Sequence, residues 1–306
     1  MRVALFGGTG FVGSYLVEAL IAAGHMPSVL VRDGSEKKVR CSGQCRLVRG
    51  ELHSDSMIDT TLEDCDAVIY NIGILREFAG RGITFEELQY NGVVRVAAAA
   101  KRRGISRVLL MSANGVKRPG TVYQETKLRA EQHLQDGGFE LTVFRPSVIF
   151  GDPRGTMEIA SQLHRDMIAP PLPAVGFFCG LSPARGEILL SPVHVADVAL
   201  AFAAALDDPA TIGHTYALGG PEVLSWTTML RRIASAAGRA KWILPMPLDL
   251  MRFAAGLFDR LSWFPVTRDQ LTMLAEGNIV DPSELEALIQ KAPMAFVPEN
   301  LAYLGR

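Results

Sequence analysis

The sequence has almost no excess of charge: 31 Lys and Arg stand against 32 Asp and Glu, a formal net charge of -1. Without a bulk cationic field, neither nucleic acid nor an anionic membrane surface is an expected partner. With 48% hydrophobic residues, the composition points instead to a packed domain serving a small molecule or another protein. Cysteine is scarce as well. Cys41, Cys45, Cys65 and Cys179 are too few and too scattered for a disulfide scaffold. Cys41 and Cys45 are four apart, but no second pair or histidine cluster completes a zinc site, so no metal is expected. No apolar run reaches the length of a membrane span. The first strand starts at Arg2, leaving no room for a leader, so the expected compartment is cytoplasmic.

What the chain does have is glycine in a telling place. Arg2 to Phe6 reads as an apolar strand and runs directly into Gly7-Gly8-Thr9-Gly10-Phe11-Val12-Gly13. Gly8, Gly10 and Gly13 give G-x-G-x-x-G, and Gly7, Gly10 and Gly13 give G-x-x-G-x-x-G. Lacking β-carbons, such a turn is tight, admits a pyrophosphate to the backbone and lets the next helix pack closely on the sheet. That helix carries Leu16, Ala19 and Leu20 on one face, stops at Gly24, and aims its N–H groups and positive dipole end at the phosphates. The stretch from Gly7 to Gly13 is therefore the expected seat of a dinucleotide.

The second strand, residues 27–32, ends in Arg32, with Lys37, Lys38 and Arg40 close behind and Asp33 between. A carboxylate at a strand tip there accepts from the adenosine ribose of NAD, whereas a basic residue suits the extra phosphate of NADP; Arg32 favours NADP(H) over NAD(H). Further strands are expected over residues 45–48, 67–70, 108–111 and 141–144. Asn71 and Gly73 close the fourth, where Gly73 lets a ring or ribose approach the backbone. The fifth ends in Ser112. Tyr123 and Lys127 follow, four apart on one helical face, where an ammonium beside a phenol lowers the phenol pKa toward values useful for proton transfer. Pro146, Ser147 and Val148 follow the sixth strand, where a nicotinamide would sit.

Beyond Asp152 the alternation loosens. Residues 170–187, with Pro170, Pro171, Pro173 and Pro183, read as a long irregular lid or packing loop. His194, with Asp197 three residues on, fits a capping or joining role better than a catalytic one. A helix over about 247–262 is apolar except for a stripe of Asp249, Arg252, Gly256 and Asp259. It is expected to be buried in this chain's own core, to dock another protein, or to touch a membrane surface shallowly. The expected fold class is α/β: a doubly wound parallel Rossmann sheet, order 3-2-1-4-5-6, over residues 1–150, with a smaller, mainly helical lobe over 151–306 that returns some segments to the core.

With the glycine turn, Tyr123-Gln124-Glu125-Thr126-Lys127, Arg145 to Gly151 and His194 to Val198 in place, the chain resembles the extended and atypical short-chain dehydrogenase/reductases. Within that superfamily it is similar to bacterial relatives of the NADPH-binding accessory subunit of respiratory complex I, through Asn71 to Arg76, Thr142 to Gly151, Tyr216 to Glu222 and Thr267 to Leu271. The resemblance implies that Tyr123 exchanges the substrate proton, that Lys127 holds the nicotinamide ribose and lowers the tyrosine pKa, and that Asn91 supports the lysine. It also implies a serine or threonine to orient the substrate oxygen. Here that position falls on Ala113, with Ser112 one residue early and facing the other way if the strand continues. Two roles follow from this. One is an NADP(H)-holding accessory or assembly factor that docks on a redox complex through its C-terminal lobe, peripheral to a membrane. The other is an NADP-dependent oxidoreductase or nucleotide-sugar epimerase in which Ser112 reaches the substrate and Tyr123 is the acid and base. By analogy with related enzymes, the helices over 84–103 and 122–137 pair across a homodimer.

Overall fold

The structure, a computed structural model, describes residues 1–180, 182–251, 253 and 268–305. The chain divides into two compact units. One comprises Met1–Pro146, Val195–Ala217 and Glu284–Gln290; the other comprises Ser147–His194, Leu218–Ser283 and Lys291–Arg306.

The first unit is built on a sheet whose strands are β1 (Arg2–Phe6), β2 (Met26–Val31), β3 (Arg46–Arg49), β4 (Ala67–Tyr70), β5 (Arg107–Met111) and β6 (Glu140–Pro146). Their spatial order is 3-2-1-4-5-6, every pairing among them parallel, and the late strand Thr215–Leu218 adds a seventh beyond β6. Strands such as β4 and β5 are apolar at nearly every position because helices cover both faces. On one face Phe6, Val68, Tyr70 and Val143 pack with Ile58 of α2 (Asp55–Thr61), Val93 and Val96 of α3 (Gly92–Arg102) and Leu134 of α4 (Val122–Asp136). Phe144, one residue along from Val143, points to the other face, where its ring lies 4.2 Å from Phe202 of the helix Val195–Asp207. That helix packs on α1 (Phe11–Ala22). The α4 start is fixed by a capping box: Thr121 accepts from the Gln124 backbone N–H, and the Gln124 side chain accepts from the Thr121 N–H.

The end of the sheet opposite the glycine turn is tied by a buried cation. Arg107 opens β5 and donates to the Glu140 carbonyl (2.8 Å), Thr142 Oγ1 (2.8 Å), the Ala205 carbonyl (2.6 Å) and Thr211 Oγ1 (2.9 Å). Four neutral acceptors replace its hydration without a carboxylate.

The second unit mixes short strands with helices around Phe150, Phe177, Trp226, Leu230, Phe296 and Leu301. Residues 170–187, expected to be irregular, contain a strand, Ala174–Phe178, paired in parallel with Ile243–Pro247. The prolines hid it by flanking it. Phe177 and Phe178 line a cavity of about 400 Å³ with Trp226, Arg231 and Pro245. His194 is buried and presents its ring edge-on to Phe150 at 5.1 Å. Of the apolar helix expected over 247–262, Arg252 and residues 254–262 lie outside the described residues, including Gly256 and Asp259; Leu248 is buried, whereas Leu250 and Phe253 are exposed. Among the described residues, no helix is long and apolar enough to cross a membrane.

Replacing Arg107 by methionine is expected to lower stability by about 3 kcal/mol, since it strands buried acceptors while keeping most of the volume. Urea unfolding of the pure protein measures it.

Candidate dinucleotide site

The crevice lies where β1 and β4 are neighbours and the chain direction of the winding reverses, at the carboxyl ends of the strands. Gly7 has φ of +100°, and its carbonyl accepts from the Gly10 N–H at 3.2 Å. Within the turn Gly13 has the tightest surroundings: a β-carbon there would lie 2.0 Å from the Gly7 oxygen and 2.7 Å from the Gly8 Cα. A β-carbon on Gly8 would meet Val29 Cγ1 at 2.6 Å. Together these contacts hold the first turn of α1 against the end of β1. Gly10 is its N-cap and has no side chain to satisfy the first-turn N–H groups, leaving them available for an anion. Thr9, Phe11 and Val12 are half-buried around this turn.

Asn71 and Gly73 form the neighbouring wall. The Asn71 N–H donates to the Phe6 carbonyl at 2.9 Å, continuing the β1–β4 pairing, and its side-chain amide reaches the Gly7 carbonyl at 3.5 Å. The place of a Gly73 β-carbon is 3.5 Å from Lys127 Nζ. Lys127, on α4, is 4% exposed and donates to the Met111 carbonyl at the end of β5 (2.7 Å). Thus the glycine turn, Asn71, Gly73 and Lys127 are brought to one end of one sheet. Pro146 ends β6, where its carbonyl accepts from the Asn114 N–H at 2.9 Å. Ser147 and Val148 open the second unit, where the Ser147 hydroxyl donates to the Asn278 carbonyl (3.0 Å) and the Val148 carbonyl accepts from Val193.

Charges behave differently from the spacing argument. Tyr123 is half-buried with its ring edge-on to Phe85 at 5.7 Å, and burial pushes its phenol up to about 12. Burial likewise depresses the Lys127 ammonium to about 8, opposed by Glu131, which is itself engaged by Arg145. The expected lowering of the tyrosine by the lysine is absent: burial raises the phenol, and Lys127 directs an N–H to the Met111 carbonyl. Asn91 does not support Lys127 either: its amide donates to Glu87 Oε2 at 3.0 Å. It ends a π-helical turn, Glu86–Asn91, whose wider winding shifts which side chains face α4. Gln89, which no motif singled out, is instead buried, with Thr126 Oγ1 at 3.0 Å from its oxygen. The one signal was a polar residue in the apolar series Phe85, Gln89, Val93.

Ser112 is 3% exposed, and its hydroxyl is sealed from solvent with no hydrogen-bond partner among the described residues. Ala113, one residue on, is half-exposed and has no hydroxyl. Arg32 is exposed just past β2, with Lys37 and Lys38 on the short turn Glu36–Lys38. Arg40 and Arg49 have carboxylate partners, Glu18 and Glu36. Among the described residues, Arg32, Lys37 and Lys38 form no ion pair.

Residues 7–168, more than half of the chain, match a family model described as NAD(P)H-binding, and the chain belongs to that family. It is 24% identical over 284 residues to the mitochondrial NADH-ubiquinone oxidoreductase 40 kDa subunit of Neurospora crassa, covering 91% of this chain and 72% of that protein. It is 31% identical over 231 residues to the mitochondrial NADH dehydrogenase (ubiquinone) 1 alpha subcomplex subunit 9 of Arabidopsis thaliana, covering 72% of this chain and 54% of the plant protein. In fold it matches a nucleoside-diphosphate-sugar epimerase of Staphylococcus aureus with a TM-score of 0.74 at 17% identity over the full length of both chains.

Gly13→Ala is expected to abolish dinucleotide binding in calorimetry, because the new methyl group must push the Gly7 carbonyl out of the phosphate turn. Lys127→Met is expected to weaken binding yet raise the stability of the cofactor-free protein at neutral pH. The sign follows from the depressed ammonium: between about 8 and 10.5 the unfolded chain binds the proton that the folded one has lost. Burying the cation therefore costs most below 8, and wild-type stability gains on the variant as pH rises through that window. Urea titrations at a series of pH values read the gap.

Proposed function

From that membership we propose that the chain holds NADP(H) as an accessory or assembly factor of a redox complex, with little or no turnover of its own. The observation that carries this reading is the sealed hydroxyl of Ser112 beside a half-exposed Ala113. Neither Ser112 nor Ala113 offers a hydroxyl to a substrate oxygen arriving from solvent, while the glycine turn, Asn71 and Lys127 remain placed to grip a dinucleotide. A phenol held near 12 points the same way, since such a tyrosine gives up its proton poorly at neutral pH. Arg32, Lys37 and Lys38, uncommitted cations at the tip of β2, support NADP(H) over NAD(H) through the ribose phosphate. The likeness to subunits named for NADH-ubiquinone oxidoreductase supports a place peripheral to a membrane complex. Exposed Trp242, Leu244, Leu250 and Phe253 in the second unit support docking through the C-terminal lobe.

A second reading, an NADP-dependent oxidoreductase or epimerase, draws on Tyr123 itself. It is half-exposed, shares α4 with Lys127, and has a hydroxyl with no hydrogen bond among the described residues. In that reading bound cofactor lowers the phenol and Tyr123 serves as acid and base.

NADPH is expected to bind about tenfold or more tightly than NADH, and the triple change of Arg32, Lys37 and Lys38 to alanine to remove the difference. Calorimetry with both dinucleotides decides this. Purified protein with NADPH should reduce no member of a carbonyl panel above trace rate. Turnover that disappears in Tyr123→Phe would overturn the accessory role and establish the enzyme.

A further inference from the structure

The second unit holds a cavity of about 400 Å³ whose described lining comes from that unit alone and shares no residue with the glycine turn, Asn71, Gly73 or Lys127. A cavity of that size accommodates a small organic molecule. It is kept open by a bare backbone position. A β-carbon on Gly176, in the strand Ala174–Phe178, would stand 2.9 Å from Ile243 Cγ2 and 3.2 Å from Thr227 Oγ1, so a side chain there would press into two of the groups that line the cavity. The floor is aromatic: Phe177, Phe178 and Trp226 are buried, and the Phe177 and Trp226 rings lie 6.0 Å apart. Trp226 gives its N–H to the Val175 carbonyl, so what the indole offers a ligand is its apolar surface.

Polar groups of both signs line the same cavity without being used. Thr227 and Arg231 are four apart on one face of the helix Trp226–Ala236. Among the described residues, neither the Thr227 hydroxyl nor the Arg231 guanidinium has a hydrogen-bond or ion-pair partner. Glu187 comes from a different segment, whose backbone meets Phe178 in an antiparallel bridge, and its carboxylate is likewise without a partner among the described residues. A guanidinium and a carboxylate that line one cavity and form no ion pair with each other leave a place for a molecule carrying both opposite charges. We propose that the cavity binds a small zwitterion with a ring-bearing side chain, an aromatic amino acid by class. Its carboxylate accepts from Arg231 and Thr227, its ammonium donates to Glu187, and its ring packs on the aromatic floor. An acid without the ammonium would leave Glu187 facing a like charge, and an amine without the carboxylate would do the same to Arg231. The two charges therefore select the ligand, while the aromatic floor supplies the contact area.

This site stands whether or not the chain holds NADP(H). The test uses the full chain and ligand-detected saturation-transfer NMR, with L-phenylalanine as the probe beside hydrocinnamate, which lacks the ammonium, and phenethylamine, which lacks the carboxylate. L-Phenylalanine is expected to bind, with transfer strongest at its ring protons, and each analogue to bind about tenfold more weakly. Arg231→Gln and Glu187→Gln, both at exposed positions, are each expected to weaken L-phenylalanine about tenfold while thermal unfolding stays that of wild type. No transfer to L-phenylalanine, an analogue that binds as well as it does, or affinity unchanged in either glutamine variant would overturn the proposal. The analogue series needs no variant, so it decides the matter even where a variant fails to fold.

Discussion

The contact between Gly13 and the Gly7 carbonyl sets everything else in the first unit. Where any side chain would stand 2.0 Å from that oxygen, bare backbone lets α1 begin against the end of β1. The helix end, its unsatisfied N–H groups and the strand tip then share one small space. The β1–β4 pairing continues through Asn71 to Phe6 and brings the wall of the crevice beside that space. Residues far apart in sequence, Gly7, Gly73 and Lys127, thereby come to the same end of the sheet.

Burial, more than pairing, governs the charges around it. Lys127 is depressed and Tyr123 raised for the same reason, removal from water, and neither is rescued by the other. Arg145 and Glu131 form the nearby salt bridge, with Glu131 only 1% exposed on its side chain, and Glu131 favours the charged form of Lys127. Such a site suits grip better than proton traffic. On the proposed reading the buried ammonium, which donates to the Met111 carbonyl, serves to hold the cofactor, and the high phenol and sealed serine fit a chain that turns over little.

The second unit has its own core and its own logic. Trp226 closes it by donating from Nε1 to the Val175 carbonyl at 3.1 Å, and the C-terminal segment is pinned by Tyr303 to Glu158 at 3.1 Å. Glu158 also accepts the Ala160 and Ser161 N–H groups, so burial raises its pKa against the pull of these bonds. These are long-range closures within the unit. They explain why residues 170–187 looked irregular when read in line: the partner of the strand Ala174–Phe178 is Ile243–Pro247, some seventy residues later.

Local chemistry was enough to foresee the glycine turn, the strands of the sheet and the cationic tip of β2, because each depends on spacing within a few residues or on runs of apolar side chains; the strand order followed from the doubly wound fold that the glycine turn implies. The seventh strand, Thr215–Leu218, was not foreseen, since its place beside β6 comes from packing and not from its own pattern. Spacing also put Tyr123 and Lys127 on one helical face, yet the direction of both pKa shifts depended on how deeply the fold buried them. Asn91, expected to support Lys127, turns to Glu87 for a similar reason: within a π turn invisible in composition it is Gln89 that meets Thr126 on α4. Sequence alone determined that a dinucleotide loop sits at the head of a doubly wound sheet, since backbone sterics at glycine are local. Tertiary structure decided which polar groups around that loop keep their protons, because desolvation depends on every atom that shuts water out.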